Sequence, residues 1–133
     1  MRWPEALLSL SLVVAAGINL LPLIGLLSAS RLEALYGIPV RDPTLELLLR
    51  HRALLFGLLG SLLLAGTFIR ELQTPAIIAA LVSMIGFLLL AGPPAEWAPA
   101  MRRIALADAL ATLLLLVALA LRALARTRTG AAA

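Results

Sequence analysis

Glu46-Leu-Leu-Leu-Arg50-His51-Arg52-Ala53-Leu-Leu-Phe56-Gly57-Leu-Leu-Gly60-Ser61 sets three adjacent basic side chains on the front of a long apolar run. At 100° per residue, Glu46, Arg50, Ala53, Gly57 and Ser61 fall within roughly a quarter of a helix circumference. Charge and small residues therefore share one face, and that face is predicted to look inward. Small residues at every fourth position let a neighbouring helix approach closely in lipid, where apolar burial alone does not drive helices together. Glu46 precedes Arg50 by four residues, the favourable order for a helical ion pair that offsets part of the cost of desolvating Arg50. His51 points nearly the opposite way.

Working outward, the whole chain shares this apolar character. Of its 133 residues 62% are hydrophobic, and mean hydropathy is +1.05, well beyond a soluble globular domain. The reading is an all-α membrane protein: a four-transmembrane-helix antiparallel bundle with a short interfacial helix between the first two spans. About 20 residues cross the hydrocarbon, so four spans and short loops consume the length. The absence of cysteine excludes disulfides, thiolate metal sites, iron–sulfur clusters and cysteine nucleophiles formed by this chain alone. The formal charge is +4, carried entirely by arginine and spread over helix ends and loops. No soluble basic face is expected on which nucleic acid could lie.

The predicted spans cover about 6–27, 43–68, 75–91 and 100–125, with an interfacial helix at about 31–36 and an arginine-bearing tail at 126–133. They form a single domain over 1–125. A cleaved signal peptide is the competing reading of the first span, given Arg2 and Ser28-Ala29-Ser30. The span is too long for that and contains Asn19 and Pro22. Pro22 removes a backbone donor and is expected to kink the span near Ile18, freeing a carbonyl beside the Asn19 amide. Asn19 is then either a helix-to-helix hydrogen bonder or a ligand contact.

Ser30-Arg31-Leu32-Glu33 fits a capping box opening the short helix, which Gly37 and Pro39 stop. Asp42-Pro43 reads as N-cap and first residue of the second span. Arg70 to Pro75 reads as a tight turn. The third span is uncharged, with Ala76, Ala79, Ala80, Ser83 and Gly86 for close packing. The fourth contains Asp108 about two turns from its start. A carboxylate at that depth costs roughly 2.5–3.5 kcal/mol to insert and marks a functional site unless it serves as a buried counter-ion, here of Arg50 or Arg52.

In an antiparallel bundle Asn19, Arg50, Arg52 and Asp108 converge on one leaflet. They predict a ligand-binding pocket that also takes in His51, with Glu33, Tyr36 and Glu46 at its rim. Arginine counts by side are close: Arg2, Arg70, Arg122, Arg126 and Arg128 against Arg31, Arg41, Arg50, Arg52, Arg102 and Arg103. If Arg50 and Arg52 lie inside the bundle they are not topogenic, and both termini are expected in the cytoplasm of an inner-membrane protein.

Leu35-Tyr36-Gly37-Ile38, Asp42-Pro43 and Leu49-Arg50-His51-Arg52-Ala53-Leu54-Leu55-Phe56-Gly57, with Asp108 in the last helix, resemble a family of small bacterial four-helix membrane proteins similar in layout to the DoxX-like group. The resemblance implies a fold across nearly the whole chain. Some DoxX-like proteins are membrane subunits of quinone-linked redox enzymes, but this chain has no cysteine or haem-ligand pair for electron transfer. Proteins resembling this one also bear the label phosphopantetheine adenylyltransferase. That enzyme needs paired histidines and a Rossmann-like sheet, whereas here there is one histidine and no Gly-rich phosphate loop.

Three functions follow. The first is a non-enzymatic accessory subunit or binder of a lipid or quinone headgroup, in which Arg50 or Arg52 receives an anionic group, Asn19 and His51 hydrogen-bond it, and Asp108 orients the arginines. The second is proton-coupled efflux with Asp108 as proton carrier. The third is an intramembrane enzyme using His51 and Asp108, which requires both to reach one substrate atom. No cofactor, metal or nucleic acid is expected. The expected partners are membrane lipid, a quinone or a membrane protein, and a homo-oligomer is compatible with the sequence.

Overall fold

Five α-helices and two short 3₁₀ segments carry residues 3–130, the part of the chain that the computed structural model describes. The order is α1 (Trp3–Leu20), a 3₁₀ segment (Leu21–Leu26), α2 (Ala29–Tyr36), α3 (Pro43–Phe68), α4 (Arg70–Leu90), a second 3₁₀ segment (Pro94–Glu96) and α5 (Pro99–Gly130). No strand occurs among the described residues. Four helical stretches, Trp3–Leu26, Pro43–Phe68, Arg70–Leu90 and Pro99–Leu124, are long and apolar enough to cross a membrane.

Local chemistry accounts for the boundaries. Asp42 caps α3, its carboxylate accepting from the Thr44 and Leu45 amides at 2.7 and 3.0 Å, with Pro43 in the first turn. Gly37 closes α2 in the left-handed conformation, φ 66°, which costs glycine nothing for want of a Cβ. The expected capping box is displaced: Ser28, not Ser30, caps α2 by accepting from the Arg31 amide at 3.3 Å, and Ser30 bonds the Ser28 hydroxyl. Glu33 does not reach back to that cap. Its carboxylate accepts from the Val40 amide at 2.8 Å and ties the loop after α2 to the helix.

Pro22 acts differently from a simple kink. The chain tightens from α-helix to 3₁₀ at Leu21, with Pro22 in the first turn of the new segment, where a missing amide hydrogen leaves no bond unmade. The expected turn at 70–75 is helical instead. α4 begins at Arg70, its first turn closed by the Leu72 amide donating to the Ile69 carbonyl, and Pro75 sits inside the helix near its start. The tail is helical to Gly130, because residues 100–129 contain no proline or glycine and are rich in good helix formers. Arg2 and residues 131–133 lie outside the described residues.

The bundle closes by α1 packing on α3 and α5, and α4 on α3 and α5. Its centre is built from Leu12, Ala15 and Ala16 of α1, Leu63 of α3, Ala76, Ile77, Ala80 and Met84 of α4, and Ala111 and Leu115 of α5. Alanine predominates because small side chains allow the helix axes to come close. Among the glycines the closest approach to another helix's backbone is at Gly60, where an added Cβ would stand 3.0 Å from the Ala16 carbonyl oxygen and 2.7 Å from Leu20 Cγ. Large apolar side chains such as Leu10, Leu58, Val82, Leu89 and Leu113 point outward on all four long helices. At the end where α3 passes into α4, Arg70 pairs with Glu5 at 3.4 Å and Arg122 donates to the Gln73 side-chain oxygen.

Gly60→Val is expected to destabilise the bundle by about 1–3 kcal/mol through overpacking. Gly17→Ala, where nothing lies within 4 Å, is expected to be neutral; unfolding of both variants in detergent checks the contrast.

The two amide bonds to Asp42 hold its carboxyl below the ordinary value of 3.8. A depressed folded-state pKa contributes stability above the unfolded value and loses it as pH falls through the folded one. Wild type is therefore expected to lose stability relative to Asp42→Asn as pH drops below 3.8; parallel melting curves across that range measure it.

Candidate functional site

A cavity of about 270 Å³ lies between the 3₁₀ end of the first span, α2, α3 and α5. Its apolar walls are Ile18, Leu21, Pro22, Leu35, Phe56 and Ile104, and its polar groups are Tyr36, Arg52, Arg103 and Asp108. The fold supplies each in turn. Tightening at Leu21 brings Pro22 against the space, the Gly37 cap leaves Tyr36 as the last residue of α2, and Asp108 projects from α5.

Arg52 is fixed by aromatic rings. Its Nε donates to the Tyr36 hydroxyl at 3.2 Å, and its guanidinium lies 4.7 Å from the Phe56 centroid, 4.9 Å from Phe87 and 5.9 Å from Tyr36. Cation–π contacts of this kind contribute about 0.5–2 kcal/mol each, more as water is excluded. Among the described residues, no acceptor lies within hydrogen-bond reach of the two terminal nitrogens of Arg52. The guanidinium is thus oriented without being consumed.

Asp108 is 5% exposed, and its Oδ2 is buried without a donor. Arg52 and Arg103 line the same cavity. Among the described residues neither Arg52 nor Arg50 forms an ion pair with Asp108 within 4.0 Å, so the counter-ion alternative is not met by a direct bridge. Thr112 does not help, since its hydroxyl donates to the Asp108 main-chain carbonyl at 2.7 Å. An unsatisfied buried oxygen costs about 1–3 kcal/mol.

The other sequence candidates lie elsewhere. Arg50 pairs with Glu46 at 2.6 Å, so both are engaged with each other outside the lining of this cavity. Glu33 is committed to the Val40 amide. Asn19 is fully buried, but its amide donates to Ala15 within its own helix at 2.8 Å, leaving Oδ1 without a donor. That i−4 carbonyl is closer in phase than any neighbouring helix, so Asn19 is not the expected bond between helices. His51 is exposed and lines a second space of about 390 Å³ between α3 and α4, with Arg52, Ser83, Gly86 and Phe87. Arg52 belongs to both linings; His51 and Asp108 do not share one.

Of the predicted set, Arg52, Asp108 and Tyr36 come together. Sequence reading missed Arg103, Phe56 and Phe87. Phe56 was legible, four residues after Arg52 and so on the same helix face. Arg103 also had a signal, standing one residue before Ile104, which lies one turn from Asp108. Phe87 is on another helix, and no local spacing announces it.

Comparison with protein-family models, curated proteins and solved structures returns no match.

Asp108→Leu is expected to raise the stability of delipidated protein by about 1 kcal/mol, because it removes an unpartnered buried carboxylate. Chemical unfolding in detergent measures this, and a loss of stability would make Asp108 a brace instead.

Proposed function

We propose that this protein is a non-enzymatic, multi-pass integral membrane protein that holds the polar end of an amphiphile, a lipid or a quinone, in the Arg52–Asp108 cavity. The supporting observation is the pairing of an oriented guanidinium with spare donors and a buried carboxylate oxygen lacking one, in a space walled by apolar side chains. A ligand bearing both acceptor and donor atoms satisfies the two groups at once. Stability alone does not call for such groups, since apolar residues of similar volume often serve a bundle at least as well.

In this reading the four spans run antiparallel, α2 lies in the interface over the cavity, and the termini face the cytoplasm of a bacterial inner membrane. A DoxX-like layout belongs to the same proposal, and the role is that of an accessory subunit or headgroup binder. Proton-coupled transport is a second reading, favoured by the same unpartnered Asp108 oxygen as a proton-carrying site. Intramembrane acid–base catalysis by His51 and Asp108 draws no support from two residues that line different spaces.

Native mass spectrometry of gently purified protein is expected to find one retained amphiphile, and Arg52→Gln to release it. Wild type that carries no ligand under conditions preserving the bundle would falsify this reading. Substrate-driven proton flux in proteoliposomes, lost in Asp108→Asn, would favour transport.

A further inference from the structure

The cavity lining carries two guanidiniums, Arg52 and Arg103, and one carboxylate, Asp108. A ligand with only an anionic group would satisfy the arginines but set like charge against Asp108 and leave Oδ2 without a donor. A ligand with only hydroxyl donors would satisfy Asp108 and leave two cations unneutralised. A group that presents an anion and an N–H cation, separated by a short linker, answers all three. We propose that the cavity selects a zwitterionic phosphate–ammonium headgroup, with the phosphate between Arg52 and Arg103 and a primary ammonium on Asp108. This rests on the headgroup-binding reading above and names its ligand class.

Each contact has a physical basis. Guanidinium donors match phosphate oxygens in charge and in forked geometry. Arg52 is held by the Tyr36 hydroxyl through Nε alone, so both terminal nitrogens stay available to a ligand, and the Tyr36 hydroxyl keeps its own proton to donate. Arg103 is exposed and has no partner among the described residues, so it reaches the phosphate at the edge of the space. Asp108, 95% buried by its 5% exposure, gives a charge-assisted bond only to a group that carries hydrogen. A bilayer lipid is the source, because the cavity edge includes Leu21, 67% exposed on the outer apolar surface, along which acyl chains can lie.

The test is retention by the full-length protein in nanodiscs and native mass spectrometry, with phosphatidylethanolamine, phosphatidylcholine and phosphatidylglycerol in competition. The first two share phosphate and positive charge and differ in the ammonium hydrogens. Phosphatidylethanolamine is expected to be preferred over each of the others by about tenfold, the scale of one charge-assisted hydrogen bond. Asp108→Asn is expected to collapse that ratio, whereas Arg103→Gln should weaken all phospholipids together and leave the ratio standing. Equal retention of phosphatidylethanolamine and phosphatidylcholine, or preference for phosphatidylglycerol, overturns the ammonium assignment while leaving headgroup binding intact. Retention of no lipid removes the headgroup reading itself. Displacement by free phosphoethanolamine would overturn the bilayer as source. If Asp108→Asn does not fold, the three-lipid ratio in wild type decides alone.

Discussion

The close approach of α1 to α3 at Gly60 is the contact on which the rest of the arrangement depends. Where Cβ would fill the gap, the Ala16 carbonyl and Leu20 occupy it instead. Lipid offers no hydrophobic drive between helices, so this backbone-level contact supplies dispersion that a larger residue would forfeit. Seating α1 there carries the following 3₁₀ segment onto α3, where Leu23 fills the space beside Gly57. From that position the chain turns into α2, and Tyr36 meets Arg52.

Polar groups inside the bundle are handled by two different means. Ser11, Ser61, Thr67 and Thr112 each bond the carbonyl four residues back in their own helix, so they carry no demand on neighbours. Arg52 is treated otherwise, with three rings and one hydroxyl drawn from three helices. Asp108 is left incomplete. That contrast between locally settled hydroxyls and an unsettled carboxylate separates scaffold from site, and it does so without any appeal to relatives.

The fold was largely legible because hydropathy and caps are local properties. Asp42-Pro43 announced the start of α3, and Glu46 four residues before Arg50 announced their ion pair; the structure holds both. The site was legible only in part. Residue type and depth along the helix picked out Asp108 and Arg52, but nothing local told that Arg50, held by Glu46 one turn away, would stay out of the cavity lining. Arg70 to Pro75 was misread because proline near a helix start resembles a turn until the amides before it are seen to be satisfied. Glu33 was misread because its true partner, the Val40 amide, lies beyond Gly37, whose left-handed conformation bends the chain back.

The 3₁₀ segment after α1 also brings the first span to the length of α3. Eighteen residues of α-helix rise about 27 Å, and six overwound residues add about 12 Å, so Trp3–Leu26 reaches about 39 Å. The 26 residues of α3, wound entirely as α-helix, rise about the same 39 Å. Two fewer residues thus attain the same height, and a change of winding does the work that an insertion would otherwise do.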